Sequence, residues 1–345
     1  MKNTLKIGIV GLGRIGQIHL SNIATRIKNA EVIAAADISE NLLDFARRHG
    51  VKYVSTEPES VLTNPEVDAV IICTPTPSHV PYTILAAQHG KHIFCEKPLD
   101  LSIEQIIAAK EAVELADVQL MLGFNRRFDA NFLKVKDMVH EGQVGQPHIL
   151  KITSRDPNPP QIEYVKSSGG LFLDMAIHDF DMARYVMNSE VVEVYAKGKV
   201  LVDSRIGDEG DIDTAITTLT FANGAIGVID NSRKAVYGYD QRIEVFGSGG
   251  MTQTKNNTPD THEYYNEKGG HLSLPLNFFL ERYAESYVNE VNVFVTSILS
   301  GNDVPVGAND GLMATAIALA AKLSCQEERA VKVEEILSSV ERVEV

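Results

Sequence analysis

Asp174 and His178 stand four residues apart in the run GGLFLDMAIHDFDMARYVMN, residues 169–188. A carboxylate and an imidazole at that spacing share one face of a helix. Leu173, Ile177, Phe180 and Met187 recur at helical spacing, and Phe172, Met175, Met182 and Val186 form a second apolar stripe. A thin polar line of Asp174, His178 and Asp181 runs between the stripes. The outer face carries no Lys or Glu, so the spacing predicts a buried helix over about 170–187. Two readings of the pair stand at this point. One is a satisfied core contact, the His donating to the Asp. The other is acid–base chemistry, because an imidazole titrates near neutral pH.

Lys97 is a second candidate. It follows the strand-like run HIFC in the tripeptide Glu96-Lys97-Pro98, and Pro98 disfavours helix at Lys97. A lysine at the carboxyl end of a parallel strand points into the ligand crevice. The competing reading is a surface lysine paired with Glu96.

The third candidate is a nucleotide loop, GLGRIG, with Gly11, Gly13 and Gly16 around Arg14 and Ile15. It follows the apolar run LKIGIV and opens a helical pattern, the context that gives this spacing meaning. Gly11 permits a tight turn, Gly13 lets the backbone approach a pyrophosphate, and Gly16 lets helix and strand pack closely. A second strand, EVIAAAD, ends in Asp37, where a carboxylate would accept from the adenosine ribose hydroxyls and repel a 2′-phosphate. The following residues, ISENLLD, hold no Lys or Arg, so NAD rather than NADP is expected. The alternative for Asp37 is a turn residue at a strand end. In the loop TPTPSHVP, Thr74, Pro75, Thr76 and His79 can line the ribose–nicotinamide side. His79 could equally cap the helix that follows.

These residues need a scaffold. Strands and helices alternate through the first third: helix 40–49, strand 51–54, helix 57–63, strand VDAVIICT, helix 78–89, strand KHIFCEK, helix 102–116, strand VQLMLGF. That pattern predicts a Rossmann-type doubly wound parallel sheet over 1–123. After Gly123 the alternation stops. NRRFDANFLKVKDMVHEG reads as one helix, followed by PHILKITSRD, the 170–187 helix and long β runs at 191–202, DIDTAITTLTF, AIGVIDNS and QRIEVFGS. FANGA reads as a hairpin turn. Residues 124–345 are therefore expected to form an α+β domain with a large, open, mainly antiparallel sheet. Helices at about 278–299 and 308–325 close the chain, the last packing back on the first domain. A sheet face without helices would suit a homodimer or homotetramer.

The bulk properties narrow the class. A length of 345 residues favours two domains. A net charge of −14 argues against a nucleic-acid or anionic-membrane partner. Cys73, Cys95 and Cys325 form no CxxC and sit at no metal-ligand spacing with a His, so reduced thiols, no metal and a cytoplasmic location are expected. The start MKNTLKIGIVGLG lacks a signal-peptide core, and no run is long enough to span a membrane.

GLGRIG, EKP and the GG-x3-D-x3-H helix together resemble the glucose–fructose oxidoreductase / inositol dehydrogenase family of NAD(P)-dependent sugar and polyol dehydrogenases, over essentially the whole chain. GFNRRFD (123–129), TSRDP (153–157) and YGYD (237–240) further resemble its inositol 2-dehydrogenase branch. The resemblance implies that Lys97, Asp174 and His178 are catalytic, with His178 as base, Lys97 stabilising alkoxide charge and Asp174 binding a neighbouring hydroxyl. It implies that Arg127, Asp156 and Tyr239 join them in binding substrate, and that Glu96 anchors Lys97 or the cofactor ribose. The implied reaction is NAD-dependent oxidation of myo-inositol, or a related cyclic polyol, to 2-keto-inositol. Oxidation of scyllo-inositol or an aldose is the near alternative. An NAD-dependent glycoside hydrolase and a non-catalytic nucleotide sensor are alternatives outside that class.

Overall fold

The computed structural model describes residues 4–341. The outermost ends of the two expected domains, residues 1–3 and 342–345, lie outside the described residues. The chain divides into two compact units. One holds the chain up to Phe128 together with Glu285–Thr315; the other holds Asp129–Ala284 and the chain from Ala316.

The first unit contains six parallel strands: β1 Leu5–Val10, β2 Ala30–Ala36, β3 Tyr53–Ser55, β4 Ala69–Ile72, β5 His92–Glu96 and β6 Leu120–Gly123. Their order is β3-β2-β1-β4-β5-β6, the doubly wound arrangement. The central strands are apolar apart from the exposed Lys6 because both faces are covered: Ile7, Ile9, Val10 and all of Ala69–Ile72 are fully buried. The order reverses between β1 and β4, so the residues that follow those strands, Gly11 and Cys73, border the crevice where ligands of such sheets bind.

The second unit is built on β7 Pro147–Arg155, β8 Val191–Lys199, β9 Thr214–Phe221, β10 Ile226–Ser232, β11 Asp240–Gly247 and β12 Gly250–Gln253, with a short hairpin, β13 Glu263–Asn266 and β14 Gly269–Leu272, and a closing strand, β15 Val331–Lys332. The seven-stranded sheet runs β12-β11-β7-β10-β9-β8-β15. Its pairings are antiparallel except β7 with β10, so the expected mainly antiparallel sheet is present, made mixed by one parallel pair. Alternation is strict: Leu150 and Ile152 are buried while Ile149 is not, and Ala215, Leu219 and Phe221 are buried while Ile216 is exposed. Helices Ala130–His140 and Ile177–Met187 pack on each other, the first against β11 and β12 and the second against β7. The opposite face shows Ile149, Tyr195, Ile216, Ile226 and Phe246.

Three expected helices differ from what forms. NRRFDANFLKVKDMVHEG is a 3-10 turn, Asn125–Phe128, and then a helix, Ala130–His140. Asp129 divides them: its side chain accepts from the main-chain N–H of Asn131 and Phe132, an N-cap in place of a helix interior. The 278–299 helix is Phe279–Arg282 and then Ala284–Ser300, with Tyr283 out of helical geometry between them. The 170–187 helix is also two pieces, Leu171–Asp174 and Ile177–Met187. No helix among the described residues is long and apolar enough to cross a membrane.

Candidate active site

In the first unit the glycine loop closes on its neighbours. Gly11 has φ +91°, a conformation that favours glycine, and a Cβ on Gly16 would lie 1.9 Å from the Gly11 carbonyl oxygen. A Cβ on Gly13 would meet nothing within 4 Å. The loop is thus packed tight at its ends and open at its middle, and helix Arg14–Thr25 starts there with no side-chain cap on its first amides. First-turn amides without a side-chain cap, beside an open backbone, fit a pyrophosphate. Arg14 is exposed at this rim and Ile15 is half-buried.

Asp37 completes the loop. Its Oδ2 accepts the Leu12 N–H at 2.6 Å and its Oδ1 accepts the Ser39 N–H at 2.8 Å. It is therefore a turn residue and a neighbour of the glycine loop at once, so the two readings of Asp37 are compatible.

His79 takes a role that neither reading anticipated. It is buried, with Nε2 2.7 Å from the Thr74 carbonyl oxygen and Nδ1 2.8 Å from that of Pro98. A neutral ring donates from only one nitrogen at a time. Burial lowers its pKa, and the two carbonyls offset that only in part. His79 braces the loop after β4 against the loop after β5, and both ring nitrogens face main chain. Thr74 also accepts from the Ser78 hydroxyl at 2.7 Å, while Pro75 is exposed and Thr76 half-buried.

Lys97 is half-buried directly after β5. Glu96 Oε1 lies 2.7 Å from His19 Nε2. Helix Arg14–Thr25 thereby holds the end of the strand that carries Lys97. The thiol of Cys73 approaches the same pair, with the three ligand-type atoms within 4.8 Å of one another. All three cysteines are free. Arg127 is buried, with Nη2 2.8 Å from Asp310 and Nη1 3.3 Å from the Pro305 carbonyl, so it ties the start of helix Ala308–Glu327 to the turn after β6.

In the second unit Asp174 closes the helix Leu171–Asp174, and His178 lies in the first turn of Ile177–Met187. The Ala176 N–H donates to Leu171 at 2.9 Å, five residues back, and this wide turn separates the two helices. The pair is therefore not on one regular helix face. Gly169 and Gly170 start the segment at φ +86° and +88°, and a Cβ on Gly170 would meet Asp211 at 2.6 Å. The glycine pair makes room for Asp211, whose Oδ1 accepts the Leu171 N–H at 3.0 Å.

Asp174 is held from two sides. The Tyr164 hydroxyl donates to its Oδ1 at 2.8 Å, and Arg233 Nη1 approaches its Oδ2 at 3.4 Å. Arg233 is almost fully buried and also lies 3.7 Å from Asp211. Tyr164 is half exposed, but desolvation at its hydroxyl end, then Asp174, raises the phenol pKa; Arg233 opposes this and Asp156 adds to it. The phenol hydrogen is thus a dependable donor to Asp174. Asp156 follows β7, half-buried, with its main chain bonded to Ser232 and Ala235. The expected TSRDP and YGYD stretches meet through Arg155, which pairs with Asp230 and donates to Tyr237 at 3.0 Å; Tyr237 donates to Asp240 at 2.6 Å. Tyr239 is buried edge-on against Tyr283, ring centroids 6.0 Å apart.

Tyr164, Asp211, Arg233 and His19 were not singled out by sequence. Only Tyr164 had a signal, its place in the loop before the glycine pair.

Two family models match the chain: an oxidoreductase family, NAD-binding Rossmann fold over residues 5–124, and the GFO/IDH/MocA C-terminal domain over residues 132–253. A myo-inositol 2-dehydrogenase of Thermotoga maritima is 49% identical over 334 residues, 96% of this chain and 100% of that protein. The chain belongs to the GFO/IDH/MocA oxidoreductase family. Its further relatives include an inositol 2-dehydrogenase of Rhizobium meliloti, 41% identical over 96% of this chain and 99% of that protein. Among solved structures, a scyllo-inositol dehydrogenase of Lactobacillus casei with bound NAD(H) and scyllo-inositol superposes with a TM-score of 0.90 at 33% identity, covering 96% of this chain and 99% of that one. The enzyme class is that of an NAD-dependent oxidoreductase acting on a CH–OH group.

Proposed function

We propose that this enzyme oxidises myo-inositol, or a closely related cyclic polyol, at a secondary hydroxyl to the 2-keto-inositol. The likeness to a myo-inositol 2-dehydrogenase over 96% of this chain and all of that protein carries the reading. Bound NAD supplies the hydride acceptor at nicotinamide C4. Gly11–Gly16 would hold its pyrophosphate, Asp37 its adenosine ribose, and Thr74, Pro75, Thr76, His79 and Glu96 its other half, His79 and Glu96 acting by holding the loops. His178 removes the hydroxyl proton as general base. Lys97 steadies the negative charge that develops on that oxygen. Asp174, fixed by Tyr164 and Arg233, accepts from a neighbouring hydroxyl. Arg127, Asp156 and Tyr239 complete the substrate contacts.

Scyllo-inositol is the second reading, favoured by the similarity to a scyllo-inositol dehydrogenase of Bacillus subtilis, 34% identical over 93% of this chain. A panel of inositol isomers and aldoses, each with NAD and with NADP, tests both. NADH formed fastest from myo-inositol supports the first reading. NADH from aldoses alone, or sugar released without NADH, overturns both.

We further propose a cytoplasmic homo-oligomer, a tetramer or dimer. The apolar residues exposed on the outer face of the second sheet support the assembly.

A further inference from the structure

Glu290 is a fully buried acid in helix Ala284–Ser300 of the first unit, and neither of its carboxylate oxygens has a hydrogen-bond partner. Its nearest base is His19, also fully buried: Nε2 lies 4.0 Å from Glu290 Oε1 and 2.7 Å from Glu96 Oε1. Cys73 faces the same space from the end of β4, and the rings of Phe94 and Tyr287 stand edge-on to the imidazole at 5.3 and 5.9 Å. Among the described residues no Lys or Arg pairs with Glu96 or Glu290. Two carboxylates therefore flank one imidazole in an apolar enclosure, and only Glu96 is within hydrogen-bond reach of it.

An isolated ionised carboxylate in such surroundings takes up a proton instead. Burial first, and then the charge of Glu96, pushes the Glu290 carboxyl well up. Glu96 is the less enclosed of the two and has the short contact to His19. The proton thus belongs on Glu290.

We propose that Glu290 is a neutral buried acid set beside the His19–Glu96 pair, in which the His19 Nε2–H holds Glu96. His19 and Glu290 are then positioning residues for the strand end from which Lys97 departs. That last step rests on the proposed role of Lys97; the protonation of Glu290 does not.

A bound divalent metal is the competing occupant, since His, Cys and carboxylates are zinc donors. The geometry favours the proton. Two ligands of one tetrahedral zinc lie roughly 3.3 Å apart at bond lengths of about 2.0 Å, and His19 and Glu96 are closer than that.

The test is the melting temperature of the full-length wild type and Glu290→Gln across about pH 5 to 8. An acid whose folded pKa is raised adds stability below its unfolded pKa, and that stability is lost as pH rises toward the folded value. Glu290→Gln mimics the neutral acid and cannot ionise. Its melting temperature should therefore gain steadily on wild type as pH rises. A gap that stays constant with pH overturns the proposal, as does one equivalent of zinc retained by wild type through dialysis. Infrared spectra of wild type give a second readout that needs no variant. A protonated carboxyl band at about pH 8, where ordinary carboxylates are ionised, is expected, and its absence contradicts the proposal.

The positioning half is tested by His19→Leu, which should lower kcat by about tenfold with KM for inositol nearly unchanged. His19→Gln, which restores a donor to Glu96, should recover most of that loss. Equal kcat in His19→Leu and wild type overturns this half. No turnover in any protein, wild type included, would instead contradict the proposed function.

Discussion

Asp37 accepts the Leu12 main-chain N–H at 2.6 Å, so the carboxylate at the end of β2 is fixed beside the glycine loop that ends β1. A negative charge fixed there repels a ribose 2′-phosphate and rewards free ribose hydroxyls. Asp37→Ser combined with Ile38→Arg removes the charge and adds a phosphate partner at a site that is already exposed. The double variant should raise kcat/KM with NADP by about tenfold or more and lower it with NAD. Wild type that uses NADP as well as NAD would remove the role of Asp37.

His178→Ala should lower kcat by about a hundredfold or more, with far less effect on NAD affinity. A satisfied core histidine predicts the reverse: a lower melting temperature and wild-type turnover in the molecules that fold. Thermal melts beside steady-state rates separate the two.

Arg233 stands between Asp174 and Asp211 with almost no exposure, so its loss would leave two carboxylates facing one another. Arg233→Met should destabilise the enzyme by about 3–5 kcal/mol, the order found when one partner of a buried ion pair is removed. Arg233→Lys should recover part of the stability but less of the kcat, because a single ammonium cannot span both carboxylates as a planar fork does. Urea unfolding and kinetics on both variants check this. A stable, active Arg233→Met would show that Asp174 needs no support from the sheet.

The sequence was legible where one physical signal dominates. The first sheet could be read because buried parallel strands are short apolar runs, and GLGRIG could be read because a glycine turn between strand and helix has few other uses. The division of the 170–187 helix was not legible. No Gly or Pro lies within 171–187, and apolar periodicity continues through the wide turn at Ala176. Arg233 was hidden for a different reason: its value lies in carboxylates contributed from residues 174 and 211, a long-range pairing that composition cannot show. His79 was seen, but with the wrong partners, because its two carbonyls come from Thr74 and from Pro98, on the next strand's loop. Glu96 was expected to anchor Lys97 or the ribose, and its bond to His19, 77 positions away, has no local sequence signal.

Lys97→Met keeps the length of the side chain and removes its charge. It should leave NAD binding nearly intact, because Gly11–Gly16 hold the pyrophosphate. It should cut kcat/KM by about two to three orders of magnitude, the size of effect when one transition-state donor is lost. Lys97→Arg should rescue poorly. Equal losses of NAD affinity and activity in Lys97→Met would make Lys97 a cofactor anchor.

The most direct measurement of the central claim follows the hydrogen itself. Myo-inositol deuterated at C2 is turned over with NAD, and the products are read by NMR. The proposed reaction predicts one deuterium at nicotinamide C4 for each 2-keto-inositol formed. Unlabelled NADH, or deuterium lost to water with no net reduction of NAD, would contradict it.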